Sequence, residues 1–170
     1  MKALTLIFFL ILNLCALEDR QLLMDSISHH AIRIGTGPNK TYTFVDPLCP
    51  RSRAFIQLID ERKDLQDKTS YYIFLYRLPM FESDKHIQYI YQSTDPLETL
   101  KDIMIYGDYE GVEDFETRSQ TLEKINEISK TARQMNVKRR PYLLIFEEGS
   151  KYCRVSDGTA PCLEENDFKE

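Results

Sequence analysis

The pattern of apolar and polar residues along this 170-residue chain alternates between strand and helix signatures. Runs rich in β-branched and aromatic residues predict strands, and apolar residues spaced three and four apart predict amphipathic helices. The predicted strands are 31–34, 41–45, 71–76, 142–146 and 152–155. The predicted helices are 18–30, 50–62, one or two within 84–105, and 119–135. Strands interspersed with helices in this order predict an α/β fold, in which helices cover the faces of a sheet.

Two breaks between these elements have local chemical causes. Asp95-Pro96 interrupts the helical stretch 84–105, because an aspartate caps a helix N-terminus and a proline fits the first helical turn. The polar segment 147–150, which contains Gly149, separates the last two strands and predicts a hairpin.

Composition and charge exclude several classes of protein. With 42% hydrophobic and 29% charged residues, the chain has the composition of a folded globular domain. The 27 acidic residues outnumber the 22 basic ones, and a net charge of −5 disfavours binding to nucleic acid. After the N-terminal segment, no apolar run approaches the ~18 residues of a membrane span.

The N-terminus has the features of a secretory signal peptide. Lys2 is followed by the apolar run 3–12, and Ala16 precedes the charged segment 18–20. We therefore expect a signal peptide at 1–16 cleaved after Ala16, a short helix or linker at 17–30, and one domain at 31–170. A lipoprotein anchored at Cys15 is the alternative, although the large Leu14 before it is unfavourable.

Export places the remaining cysteines in an oxidising compartment. Cys49, Cys153 and Cys162 are an odd number, so the simplest arrangement is one disulfide and one free thiol. A Cys153–Cys162 disulfide is expected, because Asp157-Gly158 between them turns the chain, and its short loop would contribute about 2.5–3 kcal/mol. The alternative is that one of these two cysteines resolves intermediates formed on Cys49.

The sequence predicts no metal site and no cofactor. His29 and His30 are adjacent, so they are expected on different faces of any regular element and in contact with solvent. Motifs for phosphate, dinucleotide or zinc-protease chemistry do not occur.

Cys49 lies at the junction between a predicted strand and a predicted helix, in the segment 44–52 (Phe-Val-Asp-Pro-Leu-Cys-Pro-Arg-Ser). A helix N-terminus presents unpaired N–H groups and a positive dipole end, which favour the thiolate of Cys49. Pro50 fits the first helical position, while Arg51 and Arg53 add positive charge. The flanking prolines favour an exposed thiol. A buried structural cysteine is the alternative.

This segment resembles the active-site motif of the thioredoxin-like catalytic domain in the periplasmic disulfide isomerases and reductases, the DsbC/DsbG family. Arg140-Pro141 followed by 142–146 resembles the second signature of that family, a cis-proline loop leading into a central strand. The resemblance covers about residues 31–165. It implies a thioredoxin-like fold with a central mixed sheet flanked by helices, a helical insertion, and a periplasmic location.

The same resemblance assigns roles to individual residues. It implies a cis Pro141 packed beside Cys49 and a backbone at Arg140 that pairs with an extended substrate. The Arg140 side chain would lie near the sulfur and stabilise its thiolate or an anionic group of the substrate. Cys49, Pro50 and Ser52 are then the catalytic candidates, with Arg140 and Pro141 as substrate-binding candidates.

The chain departs from the family at two points. Ser52 replaces the second cysteine, so the motif is CxxS and an internal disulfide cannot form there. A lone thiolate still attacks a disulfide and holds the mixed disulfide until the substrate or a small thiol resolves it. The segment before the first strand is also too short for the family's N-terminal dimerisation domain, so a monomer is expected.

Two functional hypotheses follow from the sequence. The first is an exported monothiol thiol–disulfide oxidoreductase, similar to an isomerase or reductase, which acts on exported proteins with cysteines through a mixed disulfide at Cys49. The second is a redox-inactive thioredoxin-fold interaction or chaperone module of the cell envelope. The requirement for Cys49 distinguishes them.

Overall fold

The computed structural model describes residues 20–146 and 153–156. Helix α1 is described over 20–27 and continues into the 3-10 turn Ser28–His30. The strands are β1 (Ile32–Ile34), β2 (Asn39–Val45), β3 (Thr69–Leu75), β4 (Tyr142–Phe146) and β5 (Cys153–Ser156). The other helices are α2 (Pro50–Glu61), α3 (Lys63–Lys68), α4 (Asp84–Gln92), α5 (Pro96–Lys101) with the π-helical turn Asp102–Tyr106, and α6 (Ser119–Gln134). The predicted signal peptide, the 147–150 turn and Cys162 lie outside the described residues.

The strands form one mixed sheet in the order β1-β3-β2-β4-β5. β2 and β3 are parallel, whereas the pairs β1–β3, β2–β4 and β4–β5 are antiparallel. This sheet with its flanking helices confirms the predicted thioredoxin-like architecture. β1 and β2 are consecutive in the sequence but are not neighbours, because β3 lies between them.

The connection between β1 and β2 packs closely on the segment that leads into β3. The N–H groups of Thr36 and Gly37 both donate to the Gln66 carbonyl at 3.0 Å. A Cβ at Gly37 would lie 1.9 Å from the carbonyl carbon of Lys68, so only glycine fits this approach. Gly35 has a φ of +80°, which other residues rarely adopt.

Both faces of the central strands are buried. Five consecutive residues of β2, 41–45, are buried, as expected for a strand covered on both sides. Phe44 of β2 and Phe74 of β3 are fully buried and their ring centroids lie 5.4 Å apart. Helix α2 contributes Phe55, Ile56 and Ile59 to this core.

The predicted helical insertion is present between β3 and β4. Asp95 caps α5 by accepting a hydrogen bond from the Glu98 N–H at 3.2 Å, which confirms the predicted break. Arg53 of α2 donates to the Met104 carbonyl and to the Tyr109 hydroxyl, both at 2.8 Å. The Arg53 guanidinium therefore holds α2 to the insertion, and its effect on Cys49 stays a prediction. Over the described ranges, none of the helices has the length and apolar character needed to cross a membrane.

His86 on α4 makes the stability of the insertion depend on pH. Its ring packs edge-on against Tyr109, with centroids 5.3 Å apart, and its buried Nδ1 has no hydrogen-bond partner among the described residues. Burial lowers its pKa from the usual 6.5, although the charges of Glu113 and Asp46 oppose this shift. The folded state therefore favours the neutral ring. Its contribution to stability is present above pH 6.5 and is lost as the pH falls through the lowered pKa.

We expect His86→Phe to reduce this loss, because phenylalanine keeps the aromatic contact but does not titrate. Thermal unfolding at pH 7 and pH 5 measures the effect. The fall in Tm between the two values should be smaller for the variant than for the wild type, and equal falls would contradict the assignment.

Candidate functional site

Cys49 lies at the N-terminus of α2, four residues after the end of central strand β2. It is the N-cap of the helix, and its carbonyl accepts the first helical hydrogen bond, from the Arg53 N–H at 3.0 Å. Its own N–H donates to the Asp46 carbonyl at 3.0 Å, which closes the turn between strand and helix. Pro50 occupies the first helical turn, where a missing N–H removes no hydrogen bond. The predicted helix start is confirmed.

Strand pairing brings three separate segments to the Cys49 end of the sheet. Val45 pairs with Leu75 in the parallel ladder, so the segment after β3 begins beside the segment after β2. Phe44 pairs with Tyr142 in the antiparallel ladder, so the residues just before β4 arrive at the same place. The turn containing Cys49, the segment 76–78 and Arg140-Pro141 therefore converge.

The Cys49 side chain is buried, with 6% of its surface exposed. Its Sγ donates to the Arg140 carbonyl at 3.9 Å, and the Arg140–Pro141 peptide bond is cis. Cys49 is a free thiol. The expectation of an exposed thiol is wrong, because the loop before β4 lies over the sulfur, a contact between residues distant in sequence.

Ser52, at the position of the family's second cysteine, lies inside the protein. It is fully buried, and its Oγ accepts a hydrogen bond from the Asp46 N–H at 3.3 Å. The hydroxyl therefore supports the turn that carries Cys49. A hydroxyl cannot form a disulfide, so the oxidation of a CxxC pair has no counterpart within this motif.

Asp46 is a buried carboxylate that connects two of the three converging segments. Oδ1 accepts from the Leu48 N–H at 2.9 Å, within the Cys49 turn. Oδ2 accepts from the Leu78 N–H and from the Ser83 hydroxyl, the latter at 2.9 Å. Asp46 belongs to the motif at 44–52 but is not among the predicted site residues. Its position, a charged residue directly after the apolar end of a strand, is the sequence feature that could have indicated its role.

Arg140 is buried as well, with 4% of its surface exposed. Its guanidinium donates to the carbonyls of Tyr76 (3.0 Å), Arg77 (3.1 Å), Val137 (3.3 Å) and Arg139 (3.0 Å). The Cζ atom lies 4.1 Å from the centroid of the Tyr76 ring, a cation–π contact. These contacts join the segment after β3 to the loop before β4, so the guanidinium has a structural role that sequence analysis did not predict.

The buried charges of Arg140 and Asp46 interact across the site. Burial lowers the pKa of Arg140, while the negative charges of Tyr76, Asp46 and Cys49 in their ionised forms act in the opposite direction. A thiolate on Cys49 would therefore attract this guanidinium. The Arg140 carbonyl contacts the sulfur and the guanidinium donates to four backbone carbonyls, so the expected effect of this charge on Cys49 stays a prediction.

We expect Asp46→Asn to destabilise the protein by about 3 kcal/mol. An amide has only one acceptor oxygen, so either the Leu48 or the Leu78 N–H loses its partner, and the buried Arg140 loses an opposing charge. Chemical denaturation measures the difference in unfolding free energy.

Asp84→Asn is the matched control for this substitution. Asp84 pairs with Arg77 at 2.6 Å, but both side chains are largely exposed, so its loss should cost at most about 1 kcal/mol. Equal losses in the two variants would contradict the role given to Asp46.

The two cysteines near the C-terminus are not tested by the structure. The backbone of Cys153 pairs with Phe146, but its side chain and Cys162 lie outside the described residues. The Cys153–Cys162 disulfide stays a prediction.

Solved structures with the same fold include thiol–disulfide proteins. A disulfide interchange protein from Neisseria gonorrhoeae has a TM-score of 0.63 at 17% identity, over 82% of this chain and 93% of that chain. DsbA2 from Pseudomonas aeruginosa has a TM-score of 0.59 at 11% identity, over 76% and 86%. DsbG from Helicobacter pylori has a TM-score of 0.58 at 14% identity, over 76% and 61%.

These similarities establish the thioredoxin-like fold, which DsbA-type and DsbG-type proteins share. No protein-family model matches the sequence. A search of curated proteins also finds no match.

Proposed function

We propose that this protein is an exported, periplasmic monothiol thiol–disulfide oxidoreductase, similar to an isomerase or reductase, with Cys49 as its nucleophile. The observation that carries the proposal is the free Cys49 thiol at the N-terminus of α2, in contact with the Arg140 carbonyl next to cis Pro141. The names of the structural neighbours, a disulfide interchange protein and two Dsb proteins, support it.

The proposed reaction is a thiol–disulfide exchange with no external oxidant. The Cys49 thiolate attacks one sulfur of a substrate disulfide, forms a mixed disulfide with it, and releases the other sulfur as a thiolate. A different thiol of the same substrate then attacks the substrate sulfur of the mixed disulfide. This second step returns the Cys49 thiolate and leaves the substrate with a rearranged disulfide.

A small thiol resolves the intermediate by a second route. If it attacks the Cys49 sulfur, the substrate leaves with both thiols reduced and the small thiol is bound to Cys49. A second small thiol then frees Cys49 and is oxidised together with the first to their disulfide. Position 52 holds a serine and not a second cysteine, so the electrons for reduction come from the small thiol.

The residues around Cys49 have separate roles in this proposal. The α2 N-terminus places unpaired N–H groups and the positive end of the helix dipole at Cys49, and the loop at Arg140 contacts its sulfur. The Arg140 carbonyl, which now faces the Cys49 sulfur, is the acceptor for an N–H of an extended substrate. Because Cys49 is almost fully buried, substrate binding must displace the contact between the sulfur and this carbonyl.

Glutathionylation tests the proposal directly. The purified chain without residues 1–16 is incubated with glutathione disulfide, and its thiols are mapped by mass spectrometry. We expect one glutathionyl group on Cys49, removed again by reduced glutathione. A Cys49 that gains no adduct, or that is bonded to another cysteine of the chain, would contradict the proposal.

The second candidate is a redox-inactive interaction or chaperone module of the cell envelope, and the burial of Cys49 together with Ser52 favours it. In that case the protein would suppress aggregation of an unfolded, cysteine-free client. The Cys49→Ala variant would suppress this aggregation as well as the wild type does. Suppressed aggregation of a client without cysteines, together with a Cys49 that forms no glutathione adduct, would establish this candidate over the first.

A further inference from the structure

Two histidines and a glutamate form a cluster of potential metal ligands. His29 and His30 belong to the 3-10 turn after α1, and Glu127 lies on α6, far away in the sequence. One ligand atom from each lies within 4.8 Å of the others. The expectation that the two histidines lie on different faces is wrong, because in the tight turn their ring centroids are 3.8 Å apart. The expected contact with solvent is confirmed for His29, whereas His30 is half-buried.

The backbone around the cluster is held in place by local hydrogen bonds. The Ala31 N–H donates to the Ser28 carbonyl at 3.1 Å, which closes the turn. The Ser28 hydroxyl donates to the Asp25 carbonyl at 2.8 Å, which ties the turn to α1. The two histidines are therefore presented from a fixed backbone immediately before strand β1.

One pair in the cluster is already in contact. Nε2 of His30 and Oε2 of Glu127 lie 2.8 Å apart, and the His30 side chain is only 14% exposed. The pair thus joins the turn before β1 to helix α6. His29 and Glu127 are exposed, which leaves an open side where water could complete a coordination shell.

We propose that His29, His30 and Glu127 form a zinc-binding site. Two imidazole nitrogens and one carboxylate oxygen are ligands that Zn²⁺ prefers, and three protein ligands plus water is a common coordination. Ligands of a tetrahedral zinc ion lie roughly 3.3 Å apart, given bonds of about 2.0–2.1 Å. The His30–Glu127 contact of 2.8 Å is shorter than this separation and the other ligand atoms lie within 4.8 Å, so the exposed side chains of His29 and Glu127 would have to rotate to reach it.

The proposed zinc ion would cross-link the turn before β1 to α6. It would therefore stabilise the attachment of the N-terminal segment to the domain, since a ligand that binds only the folded state raises its stability. The site contains no thiol and is independent of the chemistry proposed for Cys49.

Imidazole NMR signals test this site with an internal control. The chain has three histidines, and His86 on α4 is not part of the cluster. The chain without residues 1–16 is titrated with Zn²⁺ as the only added metal ion. We expect saturable shifts in the ring signals of His29 and His30, an unchanged His86, and a Tm that rises with added zinc. Unchanged His29 and His30 signals, or equal shifts at His86, would overturn the proposal.

Affinity measurements with matched variants test the ligands one by one. Competition with a zinc-binding dye should show affinity weakened by at least about tenfold in His29→Gln and in Glu127→Gln. Glu123→Gln, which removes an exposed carboxylate one turn earlier on α6, should bind zinc like the wild type. Equal weakening by Glu123→Gln and Glu127→Gln, or unchanged affinity in His29→Gln, would show diffuse binding to an acidic surface and would also overturn the site.

Discussion

Replacing Cys49 by alanine is expected to reduce disulfide exchange by this protein to the background rate in buffer. The proposed mechanism has one nucleophile, and no neighbouring side chain of the Cys49 turn can form a mixed disulfide in its place. The loss of a small buried side chain should cost only about 1 kcal/mol, so the variant remains folded. Recovery of activity from a scrambled disulfide protein measures exchange, and Tm measures folding.

The double variant Cys153→Ala, Cys162→Ala is the matched control. If these residues form the predicted structural disulfide, the variant is less stable but exchanges disulfides at the wild-type rate below its Tm. If one of them resolves intermediates on Cys49, the variant accumulates the mixed disulfide with its substrate. Exchange that persists in Cys49→Ala would instead rule out the proposed nucleophile.

Replacing Ser52 by cysteine is expected to convert the protein into a dithiol oxidoreductase. Residues three apart in the first turn of a helix are close enough for a disulfide, whose Cα atoms usually lie ~4.4–6.8 Å apart. A disulfide between Cys49 and the introduced thiol could then form and be reduced internally, and the variant should reduce insulin far faster than the wild type. The buried site loses one weak hydrogen bond from the Asp46 N–H, at a cost of about 1 kcal/mol.

Ser70→Cys controls for the mere addition of a buried thiol. Ser70 is buried like Ser52, but it lies on β3 and donates to the Gly37 carbonyl at 2.7 Å. This variant should keep the wild-type rate of insulin reduction and form no new internal disulfide. Mass spectrometry after oxidation distinguishes the two variants. If the thiol introduced by Ser52→Cys stays reduced while Cys49 is oxidised, the expected geometry at the helix start is wrong.

Most of the helices and strands could be predicted from the sequence because their signals are local, but helix α3 (Lys63–Lys68) was not predicted. The apolar spacing in 50–62 and 119–135 matches α2 and α6 to within one residue at either end. The N-cap at Asp95 and the helix start at Pro50 could also be predicted, because each depends on residues within one helical turn. The central strands were recognisable as continuous runs of β-branched and aromatic residues.

The sheet order and the environment of Cys49 could not be predicted in this way. Nothing within the segment 31–45 indicates that β3 lies between β1 and β2, because that order depends on pairing of both strands with residues 69–75, which are distant in the sequence. The flanking prolines suggested an exposed Cys49, yet its burial comes from the loop at Arg140, which the β2–β4 pairing brings to the sulfur.

The sequence by itself determined the α/β alternation, the cysteine at a helix start, and the serine that excludes a dithiol pair at that motif. These properties depend on the identity and spacing of nearby residues. Only the tertiary structure decided that Cys49 is buried, that Asp46 and Arg140 hold the converging segments together, and that His29 and His30 meet Glu127. Burial, buried charge pairs and ligand clusters depend on which distant segments the sheet brings into contact, and no local pattern specifies those contacts.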